Sequence, residues 1–72
     1  MHLYDSRVHR FIYDVSAGQI ADILRERFKA RLEQMPSDSE VRSWHHSLGA
    51  FADAIVGQGM DNAWIVLEYQ LP

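Results

Sequence analysis

Trp64-Ile65-Val66-Leu67-Glu68-Tyr69-Gln70-Leu71 is the stretch that separates an all-helical chain from a mixed one. It is rich in β-branched and aromatic side chains and too short for a helix of its own. As a strand it puts Ile65, Leu67, Tyr69 and Leu71 on one face and Trp64, Val66, Glu68 and Gln70 on the other. Trp64 to Leu67 is apolar on both faces, which suits a strand covered on both sides. A strand cannot pair with itself, and an unpaired edge invites association. Its partner is Met1–Tyr4, another chain, or a larger sheet cut off at Pro72. Pairing with another molecule is favoured, because Met1–Tyr4 offers few ladder hydrogen bonds.

Working back from the strand, the periodicity becomes helical. Val41, Trp44, Leu48, Phe51 and Ile55 recur at spacings of three and four, a narrow seam of the kind that packs along another helix. Ser37-Asp38-Ser39-Glu40 reads as a capping box with acidic residues at the positive end of the helix dipole. Gly57 and Gly59 are placed to end the helix with positive φ. Before it, Ile20, Ile23, Leu24, Phe28, Leu32 and Met35 form a second stripe. Pro36 should stop that helix, because the residue before proline is pushed out of the helical region. Ser16-Ala17-Gly18-Gln19 reads as its capping box, with Val15 and Ile20 as a hydrophobic staple. The short Met35–Ser37 connection predicts antiparallel neighbours. From Leu3 to Val15, steps of three and four favour a short amphipathic helix capped by Asp5 or Ser6, with a brief Met1–Tyr4 strand as the alternative. The expectation is thus a single α+β domain over residues 1–72, mostly helical: a short N-terminal helix, an antiparallel two-helix hairpin and one C-terminal strand. Its expected core is Phe11, Ile20, Leu24, Phe28, Val41, Trp44, Leu48, Phe51 and Ile55.

With 72 residues, one domain is the ceiling, and a domain this small buries only about 60% of its unfolded surface. A hydrophobic fraction of 47% is nevertheless ample for a core. The absence of cysteine excludes disulfides, thiolate metal sites and cysteine catalysis. A formal charge of −3 argues against general phosphate-backbone binding, and no apolar run reaches the roughly 18–20 residues of a membrane span. The expected location is the cytoplasm.

Chemistry-bearing constellations are sparse. His45 and His46 are adjacent on a helix and diverge by about 100°, so they cannot chelate one ion together. His2 and His9 lie in another segment without a ligand motif, and no metal or cofactor is expected. Asp14 and Asp61 read as cap and turn residues. Ser16, Ser37 and Ser39 belong to caps rather than to a nucleophile. Gly57-Gln58-Gly59 lacks the lysine and following helix of a phosphate loop. Arg25, Arg27, Lys29 and Arg31 alternate at two residues, which spreads them around the helix, where pairs such as Glu26 with Lys29 would neutralise them. No catalytic residue is assigned.

Glu40-Val41-Arg42-Ser43-Trp44, Ser47-Leu48 and Val66-Leu67-Glu68-Tyr69-Gln70-Leu71-Pro72, together with Tyr4, Phe11, Asp14-Val15, Ile20, Ile23 and Phe28, resemble the N-terminal region of the schlafen-like bacterial DNA/RNA helicase family. The resemblance spans nearly the whole chain and implies a piece of a restriction-endonuclease-like domain. It assigns Glu40 and Glu68 to acidic positions of the nuclease centre. The later Asp and Lys strands of such a domain, and the ATPase motor, would follow Pro72. The chain itself is therefore expected neither to cut nor to unwind nucleic acid. The leading expectation is a non-enzymatic module that binds a protein partner, in the form of a prokaryotic or phage anti-defence inhibitor of the anti-CRISPR kind. The alternative is an N-terminal fragment of a nuclease-helicase, inactive without the rest of its chain. The binding residues expected are Trp64, Ile65, Val66, Leu67, Glu68 and Tyr69, with a homodimer through the strand as one form of the interaction.

Overall fold

The computed structural model describes residues 1–70, so Leu71 and Pro72 of the expected strand lie outside the described residues. The element order is β1 (His2–Arg7), α1 (Val8–Ser16), α2 (Ile20–Leu32), α3 (Asp38–Ile55) and β2 (Trp64–Glu68). It is a small α+β fold of three helices and a two-stranded antiparallel sheet.

The N-terminal segment departs most from expectation. His2–Arg7 is a strand, and the helix begins only at Val8. Neither Asp5 nor Ser6 caps it. The free N–H groups of Val8 and His9 instead donate to the carbonyls of Ala63 and Asp61, at 2.8 and 3.2 Å. The loop before β2 therefore serves as the backbone cap of α1, which ties the helix start to the sheet. β1 pairs with β2 in the register Tyr4↔Leu67, Asp5↔Val66, Ser6↔Ile65 and Arg7↔Trp64. Met1 and Tyr69 extend the ladder by exchanging two bonds of 2.8 and 2.7 Å. The partner of the C-terminal strand is therefore the chain's own N-terminus, longer than the four residues weighed from the sequence.

The helix boundaries are partly as read. Ser37 is the cap of α3, its Oγ accepting from the Glu40 N–H at 3.2 Å. Gly57 and Gly59 take φ of +79° and +72°. The expected box at Ser16 does not form, because Ser16 is the last residue of α1. Gly18, at φ +73°, reverses the chain there instead, and the Gln19 side chain turns to Asp14 rather than back to its own helix. α2 ends at Leu32, before Pro36 can act, with Glu33 in the left-handed region.

The core holds Leu3, Tyr4, Val8, Phe11, Ile20, Leu24, Phe28, Ala52 and Ile65. α3 spans both shorter helices: its Phe51 ring lies 5.9 Å from Phe11 of α1, and its Trp44 ring 6.0 Å from Phe28 of α2. Four expected core members are weaker than supposed, Leu48 and Ile55 being half-buried at the edge of the core. Phe51 is 43% exposed, and Trp44 is only half-buried. Ala52, not Phe51, faces the centre, since a large side chain there would hold α3 away from α1.

Candidate functional site

Two places hold unusual chemistry: a buried carboxylate and the outer side of the sheet. Asp14 is 2% exposed and sits where β1, α1 and α2 meet. Its Oδ2 accepts from the Tyr4 hydroxyl at 2.7 Å, and its Oδ1 from Arg10 Nε at 3.1 Å and Gln19 Nε2 at 2.9 Å. The Ser6 hydroxyl lies 2.9 Å from the Tyr4 oxygen, and the Arg27 guanidinium stands 5.8 Å from the Tyr4 ring centre. Tyr4, Ser6, Arg10, Asp14 and Arg27 line a shallow cleft of about 310 Å³. Burial, then the hydrogen bond to Asp14, push the Tyr4 phenol up to about 12. A phenol held that firmly protonated is a poor base and nucleophile near neutral pH. The Tyr4 hydroxyl and both Asp14 oxygens are occupied by partners from β1, α1 and the α1–α2 turn, so the pair ties these elements together. Asp14 reads from the sequence as a cap residue; its spacing of four from Arg10 is the one visible sign of a polar cluster.

The expected strand residues divide by face. Ile65 is buried, and Leu67 and Tyr69 are half-buried on the same side. The Tyr69 ring meets Phe28 edge-on at 5.1 Å, and its hydroxyl donates to Glu40 Oε1 at 3.0 Å. That bond raises the Tyr69 pKa, with burial adding to it. Trp64, Val66 and Glu68 point the other way into solvent, Trp64 at 58% and Val66 at 48% exposure. The strand is thus covered on one side only. Glu40 and Glu68, the two acidic positions implied by the family resemblance, are reached from opposite faces of the sheet. Among the described residues, no group of three or more His, Cys, Asp or Glu comes together in a way that could hold a metal. The four α2 cations do not form a strip either: Arg25 pairs with Asp22 at 3.4 Å, and Arg27 donates to the Leu3 carbonyl at 3.2 Å.

The ladder also fixes where the backbone groups of β2 point. In an antiparallel pair, alternate residues turn their N–H and C=O toward the partner strand. Val8 donates to Ala63 at one end, and Met1 exchanges bonds with Tyr69 at the other. Residues 63, 65, 67 and 69 therefore bond inward, and the N–H and C=O of Trp64, Val66 and Glu68 point out of the sheet edge. Among the described residues the backbone of β2 runs beside β1 and α1, whereas β1 also runs beside α2 and has its Leu3 carbonyl taken by Arg27. The two edges differ: one is attended by a helix, the other is open. The open edge carries no Lys or Pro to discourage pairing, and Glu68 is its one charge. Beside it, Arg7 lies over the Trp64 ring at 5.5 Å, anchored by a 2.7 Å bond to the Asn62 carbonyl.

No family model matches this sequence, no curated protein matches it, and no solved structure matches the fold. No helix is long and apolar enough to cross a membrane among the described residues.

Proposed function

We propose that this chain is a non-enzymatic interaction module that engages a protein by strand addition at the open edge of β2. The observation that carries the reading is the coincidence of three properties in Trp64, Val66 and Glu68. Their backbone groups point outward, two of their side chains are large and exposed, and nothing in the sequence blocks the edge. Main-chain bonds would supply affinity, and Trp64 and Val66 would supply selectivity on the open face. The saturated Tyr4–Asp14 cluster and the separation of Glu40 from Glu68 favour binding over catalysis. An inhibitor that occupies a partner's sheet, as expected of an anti-defence protein, is the physiological form of this reading.

Photo-crosslinking tests it. Benzoylphenylalanine at Val66 should trap a protein in cells expressing the chain, and the same group at Ala30, exposed on α2, should not. Val66→Pro should abolish trapping from a neighbouring probe at Trp64 while preserving the fold, because the Val66 N–H is not used by the β1–β2 ladder. Equal trapping from positions 66 and 30 would overturn the reading.

A further inference from the structure

We infer that a second copy of this chain is a partner for that edge, through a two-fold antiparallel pairing centred on Val66. The inference rests on the strand-addition reading and names its occupant. The outward residues are even-numbered, so a two-fold that joins outward groups with the greatest overlap sets Val66 against Val66 and Trp64 against Glu68 of the second copy. Every outward N–H and C=O of the three residues then finds a mate, and the two sheets fuse into one of four strands in the order β1-β2-β2-β1. The faces agree in this register. Ile65 falls beside the second copy's Leu67 on the covered side, and Val66 beside its equivalent on the open side.

Charge gives the second argument. Arg7 sits on one side of Trp64, held over its ring, and the pairing brings the second copy's Glu68 to the other side. The open face then carries a row of Arg7, Trp64 and the opposing Glu68 twice, related by symmetry. The Arg7 cation over the Trp64 ring is favourable in itself, and the second copy's Glu68, two strand spacings or about 10 Å from Arg7, adds a longer-range attraction that salt weakens. A slip by two residues loses both rows and unpairs the ends. The contact is far smaller than the roughly 1,600 Å² of a standard interface, so a dissociation constant of about 10 µM to 1 mM is expected.

The chain contains no cysteine, which makes the register directly readable. Opposed residues in a hydrogen-bonded pair lie about 5.5 Å apart at Cα, within the range a disulfide spans. Val66→Cys at 200 µM in a glutathione redox buffer should therefore form a disulfide dimer. Trp64→Cys should do so at least tenfold less, since the two copies of residue 64 would stand about 14 Å apart. In the cysteine-free protein, Arg7→Glu should weaken self-association at least fivefold by sedimentation equilibrium, and adding Glu68→Arg should restore it to within twofold. Equal cross-linking by the two cysteine variants, or a monomer at 1 mM, would overturn the inference. A monomer whose position 66 still photo-crosslinks to a different protein overturns self-pairing and leaves strand addition standing. A monomer without such crosslinks removes both.

Discussion

At the scale of single residues, Asp14 has the most to lose. It is a buried carboxylate accepting three side-chain hydrogen bonds from β1, α1 and the α1–α2 turn. Hydrogen bonds to charged groups contribute about 1.5–3 kcal/mol each, but Arg10 is more than half exposed and adds little. Asp14→Ala should therefore destabilise by about 3 kcal/mol in denaturant titration, and Arg10→Ala by less than about 1 kcal/mol. Tyr4 carries a pH signature. Its phenol is pushed from an ordinary value of 10.0 up to about 12 in the folded chain. The folded state thus holds the proton more tightly than the unfolded state, so this contribution is complete below pH 10 and is lost as pH rises toward 12. Thermal melts of Tyr4→Phe should lack that component, although the variant starts from lower stability at neutral pH. Phe51 stands half open to solvent, so its truncation should cost less than that of the fully buried Phe11. Phe11→Ala should cost about 3–5 kcal/mol, and Phe51→Ala about half as much, leaving folded protein at 37 °C.

At the scale of elements, the helix caps separate what the sequence shows from what it conceals. Ser37 and Ser16 both open a Ser-x-x-Glu/Gln pattern, yet only Ser37 caps. The difference lies in Gly18, whose left-handed turn ends α1 at Ser16 and leaves no extended residue there to cap α2. Ser37→Ala should lose about 1 kcal/mol and Ser16→Ala should stay within about 0.5 kcal/mol, a contrast readable in urea unfolding. Glu33→Gly should stabilise by about 0.5–1 kcal/mol, since glycine relieves the left-handed strain at the end of α2. β1 was hidden for a different reason. The register shifts between His2 and Tyr4, and this bulge turns the consecutive residues Leu3 and Tyr4 both toward the core. That breaks the alternation by which a strand is recognised. With Val8 and Phe11 following, the apolar spacing imitates a helix that starts five residues too early. β2 has no such irregularity, and which residues share a face was legible; that only one face is covered was not, Trp64 and Val66 being exposed.

At the scale of the whole molecule, His2–Arg7 and Trp64–Glu68 join in one sheet, and helices cover one face of it. The N-terminus was one of three partners weighed for the strand and not the favoured one, because pairing across more than 50 residues leaves no local signal and β1 reads as only Met1–Tyr4. Of the strand residues expected to bind, the fold leaves Trp64, Val66 and Glu68 exposed, and the proposed strand addition rests on these three. The most direct measurement is residue-resolved amide hydrogen exchange along β2. At 20 µM the amides of Ile65, Leu67 and Tyr69, bonded to β1, should be protected, while those of Val66 and Glu68 exchange at nearly unfolded rates. At 1 mM, or with a captured partner, Val66 and Glu68 should gain protection. Uniform protection of all five amides at both concentrations would contradict an open edge. Even-numbered amides that stay unprotected at 1 mM and with every captured protein would show that the edge binds nothing.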